Sequence, residues 1–277
     1  MVSRGDYSGA IVEAARSVLL ELIRILGEYQ DDIVVVGGWV PELSLDQTKQ
    51  KHVGSIDVDL AINHQSITED GYKTILEYLT NHGYSQGKQP FIFHRRVVIG
   101  DQEIVVQVDF LAGEYSGTGW KHRTQKVQDM HPRKTRGVDL AFQDPEIIKI
   151  RGVLPNGGED AAIIQVASIA TFIIMKAFAM QGRLKEKDAW DIYYCLNNYP
   201  GGMEGLIQEL HPLVKLSLVQ EALSILADKF SSPSAVGPTH VADFDEITDQ
   251  EERERIQRDA FERVQYFLEG LGVEDIR

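Results

Sequence analysis

Val34–Ile62 reads VVVGGWVPELSLDQTKQKHVGSIDVDLAI, and its punctuation decides the fold. An apolar strand runs into a Gly37-Gly38 turn, a short helix and a polar loop follow, and a second strand carries Asp57 and Asp59. A strand repeats every two residues, so both acids project from one face and Val58 from the other. Neighbouring carboxylates repel each other, and a core gains nothing by burying them. A divalent cation between them removes that conflict, and an oxygen donor set suits magnesium. The paired glycines let backbone come close to a ligand, and the helix behind them would aim its N–H groups at phosphate. The stretch therefore predicts phosphate beside a two-carboxylate metal site.

Upstream, residues 9–29 place Ile11, Ala14, Val18, Leu19, Leu22, Ile25 and Leu26 at helical spacing, which predicts an amphipathic helix packed on the sheet. The first strand is 33–36, Gln47–Gly54 reads as loop, and the second strand is 56–62. Downstream, Thr68 or Asp70 would cap a helix over Tyr72–Asn81 that Gly83 ends. Phe91–Ile99 and Gln102–Leu111 form a hairpin through Gly100-Asp101, with Glu103, Val105, Gln107 and Asp109 alternating along its second strand. Asp109 is thus a third acid, set among apolar neighbours in VQVDFL. Gly113–Gly137 reads as a long polar loop, Val138–Phe142 and Glu146–Val153 as strands, and Pro155–Gly158 as a turn into the strand Ala161–Val166. From Ala167 the period becomes helical, over about 168–182, 186–198, 203–210, 212–229 and 249–270, with Ser231–Pro238 as a loop. The fold class expected is α/β (α+β): a mixed-sheet domain with flanking helices over 1–165, then a C-terminal helical domain over 166–277.

With 277 residues, 43% hydrophobic and 25% charged, the chain has the composition of an ordinary soluble protein. Its one cysteine, Cys195, excludes an internal disulfide and a multi-cysteine zinc site, which favours a reducing compartment. Met1–Ala10 has no apolar signal core, and the longest apolar run, Ile163–Met180, is broken by Gln165, Ser168, Thr171 and Lys176. The expectation is a cytoplasmic protein with no membrane partner. The net charge of −14 opposes whole-surface nucleic-acid binding and requires a local basic patch for any such partner. Lys121–Arg136, KHRTQKVQDMHPRKTR, is the candidate, with six Lys or Arg and one acid. His52, His94, His122 and His131 show no metal spacing, and His52 alone lies near the candidate site in sequence.

The order hGG…DhD…D, with h apolar, resembles the nucleotidyltransferase superfamily of the polymerase-β type. The resemblance implies that Asp57 and Asp59 are metal ligands, that Asp109 completes the site, and that Gly37 and Gly38 cradle phosphate. Many members have Ser or Thr after the glycines, where this chain has Trp39; a GGW form occurs in the aminoglycoside-modifying branch. Trp39 is therefore kept with the nucleotide-binding positions, and Ser44 and Ser55 are the candidate hydroxyls for phosphate. A second block, Lys176–Leu196 (KAFAMQGRLKEKDAWDIYYCL), resembles the K…R…KDxxDLY segment of the AbiEii-type nucleotidyltransferases, a family that includes toxins of toxin–antitoxin pairs. Ile192-Tyr193 stands where Leu-Tyr is usual. On its own the block reads as a capped, salt-bridged helix start, since Asp188 and Asp191 are three apart and acids there complement the helix dipole. The resemblance implies instead that Lys176 or Lys187, with Arg183, faces the triphosphate and that Asp188 or Asp191 orients the lysine or the base. Lys187 and Asp188 are favoured, because a first helical turn projects towards a cleft more readily than mid-helix Lys176.

What the resemblance implies is transfer of an NMP from an NTP to an acceptor hydroxyl of RNA or protein. Two magnesium ions about 4 Å apart would bridge the triphosphate. Asp57 and Asp59 would bind both ions, and Asp109 one, with a further role as general base. An antitoxin protein would be a partner. The rivals are a small-molecule nucleotidyltransferase of the aminoglycoside type and a non-catalytic nucleotide-binding domain.

Overall fold

A computed structural model describes residues 2–7, 9–45, 51–63, 66–67, 74–114 and 132–273. The chain divides into two compact units, a sheet unit of Tyr7–Ser44 and Val53–Ser168 and a helical unit of Met1–Asp6, Leu45–His52 and Ile169–Arg277.

In the sheet unit the amphipathic segment forms α1 (Gly9–Ile25), which buries Ala14, Ala15, Val18, Leu19 and Leu22. Then come β1 (Ile33–Val36), α2 (Trp39–Ser44), β2 (Asp57–Ile62), α3 (Ile75–Asn81), β3 (Ser85–Gln86), β4 (Ile92–Ile99), β5 (Gln102–Ala112), β6 (Arg133–Lys134), β7 (Glu146–Val153) and β8 (Glu159–Val166). Among the described residues the sheet runs β3-β4-β5-β2-β1-β8-β7, with β6 also on β5. The pairs β2/β5, β1/β8 and β5/β6 are parallel and the others antiparallel. Val58, Val106, Val108 and Phe110 are wholly buried on the face that α1 covers, and Phe93 packs edge-on against Phe110. Burial of this kind is the main favourable term holding the unit together. Arg95 and Tyr84 both bond Glu21 of α1, which ties that helix to the hairpin edge.

Two expectations for this unit need correction. Val138–Phe142 is a 3-10 helix and not a strand. Gly137 starts it with φ 83, and the buried set Val138, Leu140 and Ala141 does not alternate as a strand would. The cap of α3 is Thr74, whose hydroxyl accepts the Glu77 N–H at 3.1 Å. Thr68 and Asp70, the expected caps, lie outside the described residues, as does much of the expected loop at 113–137.

The helical unit holds α4 (Ile169–Gly182), α5 (Glu186–Asn198), α6 (Gly202–Leu210), α7 (Ser217–Lys229), α8 (Val236–Phe244) and α9 (Gln250–Gly270). Around Trp190 its core stacks Tyr194 and Phe244, at centroid distances of 5.2 and 4.9 Å. The N-terminal residues dock onto α5: Val2 N–H donates to Glu186, and Arg4 pairs with Asp245, which also accepts the Trp190 indole N–H. The stretch expected as one helix over 212–229 divides into a 3-10 turn at His211–Leu213 and α7. The expected loop Ser231–Pro238 instead leads into α8, with Pro238 in the first turn, where its missing N–H has no intrahelical partner to lose. Among the described residues no helix is long and apolar enough to cross a membrane.

Candidate active site

The parallel register of β2 on β5 sets Asp59 directly opposite Asp109 and Asp57 opposite Gln107. Paired residues of neighbouring strands share a face, so three carboxylates and one amide line one side of the sheet, with buried Val58 and Val108 on the other. The antiparallel register of β4 extends the row, putting His94 opposite Gln107 and Ile92 opposite Asp109.

Each acid is held by local contacts. The Ser55 hydroxyl donates to Asp57 Oδ1 at 2.5 Å. Gln107 Nε2 donates to both oxygens of Asp109, at 3.0 and 3.2 Å. Burial pushes the Asp109 carboxyl above its ordinary range, the Gln107 bond opposes that, and the neighbouring Asp57 charge adds to it. Gly37 turns the chain out of β1 with φ 71, and a Cβ there would fall 2.0 Å from Asp59 Oδ2. The carboxylate therefore occupies space that only a glycine leaves open.

Trp39, at the start of α2, is buried, and its indole N–H donates to the Asp57 carbonyl at 2.8 Å. Its observed contact is thus with the acid-bearing strand. The turn after β1 grips β2 twice, through Gly37 at one acid and through Trp39 at the backbone of the other. Ser55 serves Asp57, while the Ser44 hydroxyl is buried with no hydrogen-bond partner among the described residues.

Three carboxylates facing one way, one pressed against glycine backbone, are the donor chemistry of a hard divalent cation. Among the described residues no three Asp, Glu, His or Cys side chains are already gathered round one point. Asp57 and Asp109 turn instead to Ser55 and Gln107.

A second polar group lies inside the helical unit. Lys176 of α4 places Nζ 2.7 Å from Asp188 Oδ1 and 2.7 Å from Asp191 Oδ2. Arg183 binds both oxygens of Asp188. Lys187 Nζ and His52 Nε2 both reach Asp191 Oδ1, at 2.7 and 3.0 Å. Burial alone would depress the Lys176 ammonium, but Asp188 and Asp191 hold it well above the usual lysine range. Burial would likewise raise both carboxyls. Lys176 and Arg183 keep Asp188 below the ordinary range, and Lys176 and Lys187 keep Asp191 well below it. His52 packs against Trp190 and Tyr194. Its imidazole is lowered to about 4, by burial first and then by Lys187, and is neutral at pH 7.

The expected site residues therefore gather as two groups. Gly37, Gly38, Trp39, Asp57, Asp59 and Asp109 belong to the sheet unit, and Lys176, Arg183, Lys187, Asp188 and Asp191 to the helical unit. The expectation that Lys187 projects more than Lys176 is reversed: their side chains are 3% and 10% exposed. The first turn of α5 is buried through Glu186, Lys187 and Asp188, so its position at a helix start does not make it accessible. Arg183, 54% exposed, is the outermost cation of the group. Gln107 was legible only as one more polar residue in an alternating strand. Of the basic run, residues 121–131, with His122 and His131, lie outside the described residues; Arg133 and Lys134 form β6.

Comparison with known proteins adds the family. The model of the family described as nucleotidyl transferase AbiEii toxin, type IV toxin–antitoxin system, matches residues 28–271. Among solved structures, MenT4, a nucleotidyltransferase toxin from Mycobacterium tuberculosis H37Rv, is similar over 99% of this chain and 95% of its own, at 13% identity and a TM-score of 0.39. No curated protein matches.

Proposed function

The chain belongs to the AbiEii family of nucleotidyltransferase toxins, and on that footing we propose that it transfers a nucleoside monophosphate from an NTP to an acceptor hydroxyl on RNA or protein. The observation that carries this reading is the β2–β5 register, which puts Asp57, Asp59 and Asp109 on one face beside a glycine turn. Those three acids would hold magnesium, which when bound supplies charge neutralisation to the transferring phosphoryl group and the departing pyrophosphate. The remaining work falls to the chain's own residues. Gly37 makes room for the Asp59 carboxylate, and Gly38 would let backbone come close to phosphate oxygens. Lys176 and Arg183 supply positive charge for the triphosphate. Asp109, to which the Gln107 amide donates, would accept the proton of the acceptor hydroxyl as its oxygen bonds to the α-phosphorus. The bond from that phosphorus to the bridging oxygen breaks, and pyrophosphate leaves. As a member of a toxin–antitoxin family, the chain is paired with an antitoxin.

The test is label transfer. Purified protein with magnesium receives each α-labelled NTP in turn, together with total cell RNA and lysate protein, beside an Asp57→Asn/Asp59→Asn variant. Label on RNA or protein that the variant fails to transfer supports the reading and identifies base and acceptor class. Label only on an added aminoglycoside moves the acceptor to small molecules. No transfer with any of the four nucleotides to any acceptor overturns it.

A further inference from the structure

The strand registers carry the acid face of the sheet across to its far flank. Asp59 stands opposite Val36 of β1, and Val34, on the same side of β1, stands opposite Gln165 of β8. By the two-residue period Ala161 and Ile163 of β8 share that side, and with them Ile147, Lys149, Arg151 and Val153 of β7. α1 packs on the other side. This flank is open: Ile147 is 66% exposed, Ile163 60% and Val153 47%, with Lys149 and Arg151 exposed between them. β7 also ends the sheet, and among the described strands it pairs with β8 alone.

An outermost strand offers a row of backbone N–H and C=O groups to any chain that can pair with it, and proteins blunt such edges. Here the blunting is selective. Antiparallel pairing with a second copy would set Lys149 opposite Arg151, or one of them opposite itself, and like charges directly opposed are destabilising. The same two cations favour acids. Their neighbours across β8 are Ile163 and Ala161, and among the described residues neither cation forms an ion pair, not even with Glu159 opposite Val153. They stand about 7 Å apart along one face, so carboxylates that match them must alternate along a strand as they do. On a chain of net charge −14, this local reversal of sign selects among partners. The exposed Ile147, Val153 and Ile163 add an apolar part to the same surface.

We propose that β7 docks an extended acidic segment of a protein partner, which joins the sheet as a further strand. The partner's backbone pairs with the free edge, alternate carboxylates meet Lys149 and Arg151, and apolar side chains on either side of them meet Ile147 and Val153. A second copy fails on charge. RNA would use the two cations, but neither the backbone edge nor the β-branched side chains that flank them. The inference is independent of the transfer reaction, since it needs neither nucleotide nor the three acids.

The probe is a short capped peptide whose alternate residues run valine, glutamate, glutamate, valine, with threonine between them. Its control carries lysine at the two glutamate positions. Binding to the full chain is followed by fluorescence anisotropy of the labelled peptide and by amide hydrogen exchange of the protein. Wild type should bind the glutamate peptide about tenfold more tightly than the lysine peptide. Exchange should slow in β7 while the β4–β5 hairpin is unchanged. Lys149→Glu/Arg151→Glu should reverse the preference. Ile147→Thr/Ile163→Thr, which keeps the charges and a strand-forming residue, should weaken the glutamate peptide several-fold. These four positions are exposed, and Asp57→Asn/Asp59→Asn should bind the peptide as wild type does. No binding of the glutamate peptide below about 1 mM would overturn the inference. So would equal affinity for the two peptides, or binding that leaves exchange in β7 unaltered, which marks loose ionic contact. Labelled oligouridine that binds through Lys149 and Arg151 where the peptide does not would assign the surface to RNA instead. Should the charge-reversed protein not fold, Lys149→Gln/Arg151→Gln takes its place and should lose the preference between the peptides.

Discussion

Asp59 is the residue at which the sheet unit's constraints meet: opposite Asp109, on the same face as Asp57, and tight against Gly37. Gly37→Ala tests that packing, because a methyl group 2.0 Å from Asp59 Oδ2 on a backbone at φ 71 cannot be accommodated without moving the acid. It should lower stability by about 1 kcal/mol or more in urea unfolding and reduce NMP transfer roughly a hundredfold. Transfer at the wild-type rate would show that Asp59 tolerates displacement. His52 is the residue whose proton reports on the helical unit. Its pKa is about 4 folded against 6.5 unfolded, so between those values the unfolded chain binds a proton that the folded chain refuses. Stability is therefore complete above about pH 6.5 and falls as the pH drops towards 4, and Asp188 and Asp191, both held below the usual range, carry the loss further into acid. Urea midpoints between pH 7 and 4 should show this slope, and His52→Phe should flatten it above pH 4. The three acids were legible in sequence because period two is a strong signal in a strand. The burial of Lys187 was not, since it depends on Asp191, His52 and Trp190 closing over a helix start that looks exposed in one dimension.

At the scale of elements, the strands that carry the site were readable because they alternate or run apolar between clear turns: β1, β2, β4, β5, β7 and β8 form within a residue or two of expectation. The failures occur where local signals compete. Val138–Phe142 has strand-like composition but follows a left-handed glycine, and α8 begins in a serine- and proline-rich stretch that composition assigns to loop. Two elements offer clean tests. Asp249 caps α9 by accepting the Glu252 N–H at 2.9 Å, so Asp249→Ala should cost about 1 kcal/mol in urea unfolding while nucleotide binding is unchanged. Trp39→Phe keeps the buried ring of α2 but leaves the Asp57 carbonyl without its indole donor. Its expected loss is about 1 kcal/mol, with weakened transfer because the acid-bearing strand loses one of its two grips. An Asp249→Ala loss of transfer as large as that of Trp39→Phe would refute this division of roles.

At the scale of the whole molecule, the division between a sheet-bearing and a helical part was visible as a change of period near residue 167, from two to helical. The sequence did not show that Leu45–His52 belongs with the helices, because a polar segment without a period carries no signal for its partner. A net charge of −14 leaves any RNA acceptor dependent on local cations, so transfer to RNA should weaken steeply with salt while transfer to a protein acceptor should not. The most direct test of the central claim follows the two ends of the triphosphate in one reaction. With magnesium, cell RNA and lysate protein, α-labelled NTP should leave its label on the acceptor and γ-labelled NTP should release its label as pyrophosphate, and both should stop in Asp57→Asn/Asp59→Asn. Label from the γ-position on the acceptor, or α-label transfer that survives the double substitution, would contradict the account.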